Sequence, residues 1–278
     1  MLLGVRVSEN PEELLALAVS VASTAGQLLA SWRADGRPEV ASTKSSDTDV
    51  VTEMDKQSER LITERVRAVR PGDTILGEEG GQTGSGARVR WVVDPLDGTV
   101  NYLYGLPDWA VSIAVEVDGE IVAAVVDAPG LGEAYTAVTG GGAWLTRRGS
   151  AAAKLLCNDP VPLEHALVAT GFGYTAGRRE VQGAVVGALL PRVRDIRRRG
   201  SAAVDLCMVA AGRVDAFYER GLNYWDYAAG GLIAREAGAV VGGLSGRPES
   251  TSMAVAAGPG LFPRLAEFLA GLDPERDA

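Results

Sequence analysis

The sequence is poor in the residues that several common kinds of site need, with one histidine and two cysteines among 278 residues. The lone histidine, His165, makes a Ser-His-Asp triad or a His-rich zinc site hard to build, so we expect a structural role for it. Cys157 and Cys207 lack CxxC or zinc-type spacing, and their apolar neighbours predict buried thiols. A disulfide framework is therefore not expected.

Long apolar runs and an excess of positive charge are also missing. No apolar segment approaches the roughly 18 to 20 residues of a membrane span, and the N-terminal "MLLGVRVSEN" has no basic region before an apolar one. We therefore expect no membrane association and a cytoplasmic location. The net charge of −9 opposes non-specific adhesion to nucleic acid and suits a protein that collects divalent cations.

The first part of the chain predicts two helices. Asn10 is suited to cap a helix that begins at Pro11, and apolar residues fill one face of it as far as "RADGRP". A second helix carries apolar positions at helical spacing from Met54 to Val69 and stops before Pro71. We predict loops for the polar stretch 41–49 and for the glycine-rich "GGQTGSG".

The pattern of predicted secondary structure changes near Leu167. Before this point, the strand "RVRWVVD" and the alternating runs that follow residue 109 predict an antiparallel meander with tight turns. After it, short apolar runs alternate with alanine-rich helices, which indicates α/β layering. Because no low-complexity linker separates the halves, we predict one domain over residues 1–278, with subdomains of about 1–150 and 151–278.

The segment "DPLDGT", residues 94–99, gathers oxygen atoms at the end of a predicted strand. Pro95 fixes φ for a turn, so the carboxylates of Asp94 and Asp97 can converge while the Leu96 carbonyl projects between them. Mg²⁺ and other hard cations prefer such oxygen ligands, usually with water and a substrate phosphate. The segment predicts a metal site, although a turn with an aspartate cap has the same pattern.

Gly98 and Thr99 then open a predicted helix, whose free N–H groups form a site for an anion beside the metal. Acidic residues occur at other junctions too, since Glu78 and Glu79 close a short run and Asp226 begins a helix of small residues. Taken separately, Glu78 and Glu79 could belong to a solvated acidic loop, and Asp226 could be a helix cap. Their occurrence together with the 94–99 segment favours one shared site.

Four segments, "GEE", "DPLDGTVNY", "GSAAVDLC" and "YWDYAAG", resemble in order and spacing the motifs of the inositol monophosphatase family. The resemblance covers about residues 11–261 and is nearest to the bacterial SuhB-like branch. Its members are Mg²⁺-dependent, lithium-sensitive phosphatases. The resemblance implies a layered α/β (α+β) sugar-phosphatase fold, an αβαβα sandwich with a larger, mostly antiparallel sheet and a second, smaller sheet.

The resemblance also implies roles for individual residues. The implied metal ligands are Glu78, Asp94, the Leu96 carbonyl, Asp97 and Asp226. The implied catalytic residues are Glu79 and Thr99, which orient the attacking water, and Asp55, which reaches a further metal through water. The implied substrate contacts are Gly98 and Thr99 at the phosphate, Ser201, Ala202 and Glu219 at the inositol ring, and Asp97. Lys44 falls where the family has a lysine on a mobile loop.

The chemistry expected from these roles is metal-assisted attack of water on a small-molecule phosphate ester, with inositol 1-phosphate or a related polyol phosphate as substrate and Mg²⁺ as cofactor. A homodimer is expected, without direct nucleic-acid binding. Histidinol-phosphate, fructose-1,6-bisphosphate and 3′-phosphoadenosine phosphatases of the same fold stay open as alternatives. A regulatory protein that associates with transcription machinery is another, and the cluster "RVRDIRRRG" could serve such a partner, a solvated strand edge or a dimer contact.

Overall fold

The computed structural model describes residues 9–36, 40–43 and 50–276. Seven α-helices lie within these ranges: Pro11–Asp35 (α1), Glu53–Val69 (α2), Thr99–Tyr104 (α3), Ala176–Leu189 (α4), Ala202–Ala210 (α5), Tyr224–Glu236 (α6) and Phe262–Ala270 (α7). The strands of the first half are Val40–Thr43 (β1), Val50–Thr52 (β2), Thr74–Gly77 (β3), Gly81–Thr83 (β4), Val89–Asp97 (β5), Ala110–Val117 (β6), Glu120–Ala128 (β7), Glu133–Val138 (β8) and Gly142–Arg147 (β9). Those of the second half are Ala153–Lys154 (β10), Leu167–Thr170 (β11), Asp195–Arg197 (β12), Ala216–Glu219 (β13), Val240–Gly242 (β14) and Ala254–Ala257 (β15).

The larger sheet has eight strands in the order β10-β9-β8-β7-β6-β5-β3-β4. Its neighbouring strands run antiparallel except for the parallel pair β3 and β5. The predicted meander is thus confirmed as β6 to β9. The smaller sheet has five strands in the order β12-β11-β13-β15-β14, of which β12, β11 and β13 are parallel.

Five layers pack through three apolar cores, of which the middle one covers both faces of the central helical layer. Helices α1 and α2 cover one face of the large sheet. Helices α5 and α6 lie between the two sheets, and α4 and α7 cover the outer face of the small sheet. Strand alternation assigns each side chain of the small sheet to one core, so that Phe217 faces the middle core while Ala216 and Tyr218 face the outer one. The predicted αβαβα sandwich is confirmed.

Helix α1 shows how capping and one apolar face define an element. The Asn10 side chain accepts a hydrogen bond from the Glu12 amide at 2.9 Å, and Pro11 occupies the first turn as predicted. By length and composition α1 could cross a membrane, so the expectation that the sequence holds no such segment is wrong by that measure. Leu14, Val21 and Leu29 are nonetheless buried against the large sheet, as in the core helix of a globular domain.

Several predicted loops and ends differ from the structure. The predicted loop "GGQTGSG" contains strand β4, which pairs with β3, and residues 41–43 of the predicted loop 41–49 belong to β1. Strand β5 continues past Asp94 to Asp97, because a bulge opposite β6 absorbs the turn expected at Pro95. The elements without a prediction include α4, β10, β15 and α7. Of these, α4 has a readable signal in Val181, Val185 and Leu189, which follow one another at intervals of four residues and are buried.

The structure agrees in part with the expectations for the single histidine and the two cysteines. His165 is exposed in a short 3₁₀ turn, Leu163–His165, and does not line the cavity described below. Both cysteines are free thiols. Cys207 is buried in the middle core as predicted, whereas Cys157 is half-buried.

Candidate active site

A cavity of about 410 Å³ opens where the ends of β3, β5 and β13 meet the first turns of α3, α5 and α6. This volume lies within the range of small-molecule sites. Residues from both halves of the chain line it. Those expected from the sequence are Glu78, Asp94, Leu96, Asp97, Gly98, Thr99, Ala202, Glu219 and Asp226.

Three predicted site residues, Asp55, Glu79 and Ser201, are not among the lining residues, and Lys44 lies outside the described ranges. Several other residues line the cavity without having been predicted as site residues. They include the arginines Arg178, Arg198 and Arg220, the loop 171–175 and Asn223.

The parallel pairing of β3 with β5 brings the first two acids together. Gly77 pairs with Val93, so Glu78, which follows β3 directly, and Asp94 of β5 come next to each other at the same end of this strand pair. Asp94 is 2% exposed, and its Oδ1 accepts a hydrogen bond from the Leu96 amide at 3.0 Å. This contact orients the Asp94 carboxylate within the bulge of β5.

A buried glutamate holds the loop that carries Glu78 and Glu79. Glu59, on α2, accepts hydrogen bonds from the backbone amides of Glu79 at 2.8 Å and Gly80 at 2.7 Å. A Cβ atom at Gly77 would lie 2.4 Å from Glu59 Oε2, so glycine is needed there. Glu59 is a positioning residue that the sequence did not indicate, because a glutamate within a polar helix ordinarily suggests a solvated surface.

Asp97 connects the large sheet to helix α5. Its Oδ2 accepts the Ser201 hydroxyl at 2.6 Å and the Ala203 amide at 2.8 Å. The Ser201 Oγ in turn accepts the Val204 amide and so caps α5. Since its hydroxyl is used in this way, Ser201 acts on the site through Asp97.

Gly98 and Thr99 begin α3 as predicted. Gly98 has φ of 86°, and a Cβ atom there would lie 2.7 Å from the Asp108 carbonyl oxygen. A side chain at this position is therefore excluded twice, by the backbone conformation and by the neighbouring chain. Thr99 follows directly, which fixes its hydroxyl at the floor of the cavity.

The Thr99 hydroxyl links the cavity to Asp55 on α2. Its Oγ1 donates to Asp55 Oδ1 at 2.9 Å and lies 3.1 Å from the Leu96 carbonyl oxygen. Asp55 Oδ2 also accepts the Thr52 amide at 2.8 Å and hydroxyl at 2.6 Å, which completes a capping box. Burial raises the pKa of Asp55, although these hydrogen bonds lower it in part. The charge of nearby Glu79 adds to the upward shift.

Asp226 enters from the other half of the molecule in the first turn of α6. Its Oδ2 accepts the Asn223 amide at 2.6 Å, so it belongs to a capping box as well as to the cavity wall. The two interpretations of Asp226, helix cap and site residue, are therefore compatible. One carboxylate oxygen secures the helix and thereby orients the group.

The acids on the cavity floor repel one another. Burial raises the pKa of Asp94 and of Asp226 well above the usual range, and the negative charges of Glu78 and Asp97 add to both shifts. Burial also raises the pKa of Asp97 to about 6, against hydrogen bonds from Ser201 and backbone amides. A bound cation would relieve this repulsion.

The donor set of carboxylates and a carbonyl therefore fits a hard divalent cation in its chemistry. Across the described ranges, no three His, Cys, Asp or Glu side chains already stand close enough together to hold a metal ion. The acids surround a shared space, and they would have to close on a cation to bind it.

Glu219 and Ala202 also line the cavity. Glu219 ends β13, and its carboxyl group packs on Gly171, where an added Cβ atom would lie 2.0 Å from Oε2. Burial raises the pKa of Glu219 to about 8, although the charge of Arg198 opposes the shift. This group can exchange hydrogen bonds with hydroxyls of a molecule held in the cavity.

Comparisons with known proteins define the class first: the chain is a phosphatase. It belongs to the inositol monophosphatase family, whose model matches residues 10–271. The family and fold make it a phosphatase of the inositol phosphate type, in a family that is generally metal-dependent. The family resemblance seen in the sequence is thus confirmed.

Individual relatives agree with this assignment. The inositol-1-monophosphatase SuhB of Mycobacterium tuberculosis is 44% identical over 293 residues, with 98% of this chain and 99% of the relative covered. The Escherichia coli protein named Nus factor SuhB is 43% identical over 238 residues, with 84% and 86% covered. The solved structure of M. tuberculosis SuhB matches with a TM-score of 0.82 at 43% identity, covering 97% of this chain and 100% of that one.

Proposed function

We propose that the chain is a Mg²⁺-dependent hydrolase of inositol 1-phosphate or a related polyol phosphate. One observation carries the proposal: Glu78, Asp94, Asp97 and Asp226 face the same cavity, which Glu219 also lines. Carboxylates repel a phosphate dianion, so a phosphatase site built from them needs cations between the two.

The groups proposed to hold Mg²⁺ are Glu78, Asp94, the Leu96 carbonyl, Asp97 and Asp226. The bulge of β5 and the capping box of α6 support this role, since each orients a carboxylate through a backbone hydrogen bond. When bound, Mg²⁺ supplies positive charge that offsets the charge on the phosphoryl group.

Thr99 and Glu79 are proposed to orient the attacking water, and Asp55 is proposed to reach a further metal through water. Because the Thr99 hydroxyl donates to Asp55 Oδ1, its lone pairs are left to accept a hydrogen bond from that water. Glu59 fixes the backbone of Glu79 and thereby the reach of its carboxylate. Attack by water directly on phosphorus requires no covalent phosphoenzyme.

The substrate is proposed to place its phosphate at Gly98 and Thr99 and its ring against Ala202 and Glu219. Glu219 then binds ring hydroxyls, which favours a polyol over esters without neighbouring hydroxyls. Asp97 contributes from the floor. Ser201 is proposed to help by holding Asp97 in place, because its hydroxyl already bonds to that carboxylate.

A panel of phosphate esters assayed with Mg²⁺ tests the proposal. We expect phosphate release from inositol 1-phosphate with kcat/KM at least about tenfold above those for histidinol phosphate and 3′-phosphoadenosine 5′-phosphate, since one lost hydrogen bond to a charged group costs about 1.5 to 3 kcal/mol. Preference for either rival would contradict the polyol assignment, and efficient hydrolysis of fructose 1,6-bisphosphate would extend it to sugars. No Mg²⁺-dependent release from any ester would contradict the function itself.

A second candidate, association with transcription machinery, is favoured by the name of the E. coli relative, Nus factor SuhB. Two arginines of the cluster that could serve such a partner already form ion pairs within this chain. Arg197 pairs with Asp195, and Arg199 pairs with Asp108 at 3.0 Å. A pull-down of transcription machinery, with and without charge reversal of Arg197 to Arg199, tests it, and unchanged association would remove the cluster from consideration.

A single domain, a homodimer and a cytoplasmic location are also proposed. The single domain is supported by the middle core, which joins residues of both predicted subdomains, from Val92 to Ala256. The dimer is supported by the family resemblance, and light scattering of the purified chain tests it.

A further inference from the structure

Three consecutive residues, the segment 171–173, each touch a different charged side chain on the cavity wall. The first glycine packs against the carboxyl group of Glu219. The phenyl ring of Phe172 lies beneath the guanidinium of Arg198, whose Cζ is 5.8 Å from the ring centroid. A Cβ atom on the second glycine would lie 2.6 Å from Cδ of Arg178. One short segment therefore sets Glu219, Arg198 and Arg178 side by side along the cavity.

Arg178 and Arg198 differ from the neighbouring arginines in their partners, although the charge of Arg198 acts on the nearby Glu219 carboxyl group. Among the described residues, no ion pair involves either of them. Arg197 pairs with Asp195 and Arg199 with Asp108, while Arg220 donates to carbonyls of the C-terminal segment. Two positive charges are thus directed to a cavity in a protein of net charge −9, where carboxylates are abundant.

The wall that carries these arginines is held by helix α4. The Gly173 amide donates to Gln182 Oε1 at 2.9 Å, and Arg179 Nε donates to the Gly173 carbonyl at 2.7 Å. Arg178 also crosses Gly221, where a Cβ atom would lie 2.3 Å from its Nη1. A guanidinium placed in advance loses less conformational entropy when it binds an anion.

We propose that Arg178 and Arg198 form a second anion subsite, which binds a second phosphate group of a polyol bisphosphate. The inference rests on the proposed function, because the reacting phosphate occupies the acidic floor. Glu219 lies between the two phosphate positions and contacts the ring hydroxyls. Planar guanidinium groups suit phosphate, since each offers a fork of N–H donors.

The test compares two esters that differ by one phosphate, inositol 1-phosphate and inositol 1,4-bisphosphate, at the same Mg²⁺ concentration. The variants are Arg178→Gln and Arg198→Gln. The matched control is Arg197→Gln, which removes a neighbouring arginine that does not line the cavity. Arg178→Lys keeps the charge and shows whether a loss at this position comes from charge or from packing.

We expect wild type to hydrolyse the bisphosphate with the higher kcat/KM. Each glutamine variant should lose roughly 10- to 150-fold on the bisphosphate, mostly in KM, because each removes charged hydrogen bonds remote from the reacting phosphorus. The losses on the monophosphate should stay below about threefold, Arg178→Lys should recover part of the loss, and Arg197→Gln should change neither ester.

Hydrolysis of the monophosphate without preference for the bisphosphate would overturn the subsite and leave the proposed function intact. Equal losses on both esters would also overturn it, because the arginines would then support the reacting phosphate. If wild type hydrolysed neither ester, the proposed function would fail and the subsite with it.

Discussion

Ser201 donates its hydroxyl to Asp97 Oδ2 at 2.6 Å, across 104 positions of sequence. The bond joins the end of β5 in the large sheet to the cap of α5, which packs between the sheets. The position of the Asp97 carboxylate therefore depends on the packing of both halves of the molecule. The candidate site is therefore built from residues of both halves of the chain.

Replacement of Thr99 by alanine should lower kcat by roughly 100-fold or more while the chain keeps most of its affinity for Mg²⁺. The change removes the hydroxyl that bonds to Asp55 and leaves every proposed carboxylate ligand in place. Turnover and Mg²⁺ titrations on the same variant measure the two quantities. A large loss of metal affinity with unchanged turnover would reverse the roles assigned here.

Replacement of Glu219 by alanine should lower kcat/KM for inositol 1-phosphate by roughly 10- to 150-fold, because hydrogen bonds to ring hydroxyls are lost. It should spare p-nitrophenyl phosphate, which has no ring hydroxyls. Glu219→Gln should retain more activity than Glu219→Ala, since burial raises the pKa of Glu219 to about 8 and a neutral amide resembles the protonated acid. Equal losses on both esters would mean that the change disturbs the floor of the cavity.

Lithium should inhibit hydrolysis of inositol 1-phosphate in the millimolar range, as the family resemblance implies. Inhibition should weaken in Asp226→Asn if the ion occupies one of the proposed metal positions. Rate measurements against lithium concentration at fixed Mg²⁺ test this, and insensitivity would count against the shared metal arrangement while leaving the phosphatase assignment in place.

Glu133 should make the stability of the fold sensitive to acid. Burial alone would raise its pKa, but hydrogen bonds from Arg213, Tyr135 and Arg147 outweigh that effect and lower the pKa to about 2. Between about pH 4.5, the usual value for this group, and pH 2, the unfolded chain therefore binds more protons than the folded one. The stabilisation is complete above this window and is lost as the pH falls through it.

Glu133→Gln should accordingly reduce the free energy of unfolding at pH 7 by about 1 to 3 kcal/mol, because Arg147 and Arg213 lose the charged partner that the buried Glu133 provides. It should also flatten the dependence of stability on pH between 4.5 and 2. Urea unfolding at several pH values measures both effects. A slope in that window equal to that of wild type would assign the acid sensitivity to other carboxyl groups.

The sequence predicts elements well where local signals agree. Helices α1 and α2 follow from a cap, an amphipathic face and a terminating proline or glycine, and all of these are local. Strand β4 is missed because its residues, Gly81–Thr83, suit a turn and become a strand only by pairing with β3. The bulge in β5 is missed for the same reason, since it is defined by the register against β6.

For the site, the acidic motifs identify the floor of the cavity because their spacing is local. The residues of the wall and its supports are not identified in this way, because arginine and glutamate, as at Arg178, Arg198 and Glu59, are ordinarily found on the surface. Only the stacking of the layers turns them toward the cavity or buries them beneath its loop. Ser201 was expected at the inositol ring, and its bond to Asp97 depends equally on that stacking.

The most direct test of the account is a Mg²⁺ titration of inositol 1-phosphate hydrolysis by wild type and by Asp226→Asn. The amide keeps an oxygen that can accept the Asn223 N–H bond, so helix α6 stays capped while one negative charge is removed from the floor. We predict activity that requires Mg²⁺ in wild type and falls at least about 100-fold in the variant at a subsaturating concentration. Hydrolysis that persists in excess chelator, or a variant within a few-fold of wild type, would contradict the account.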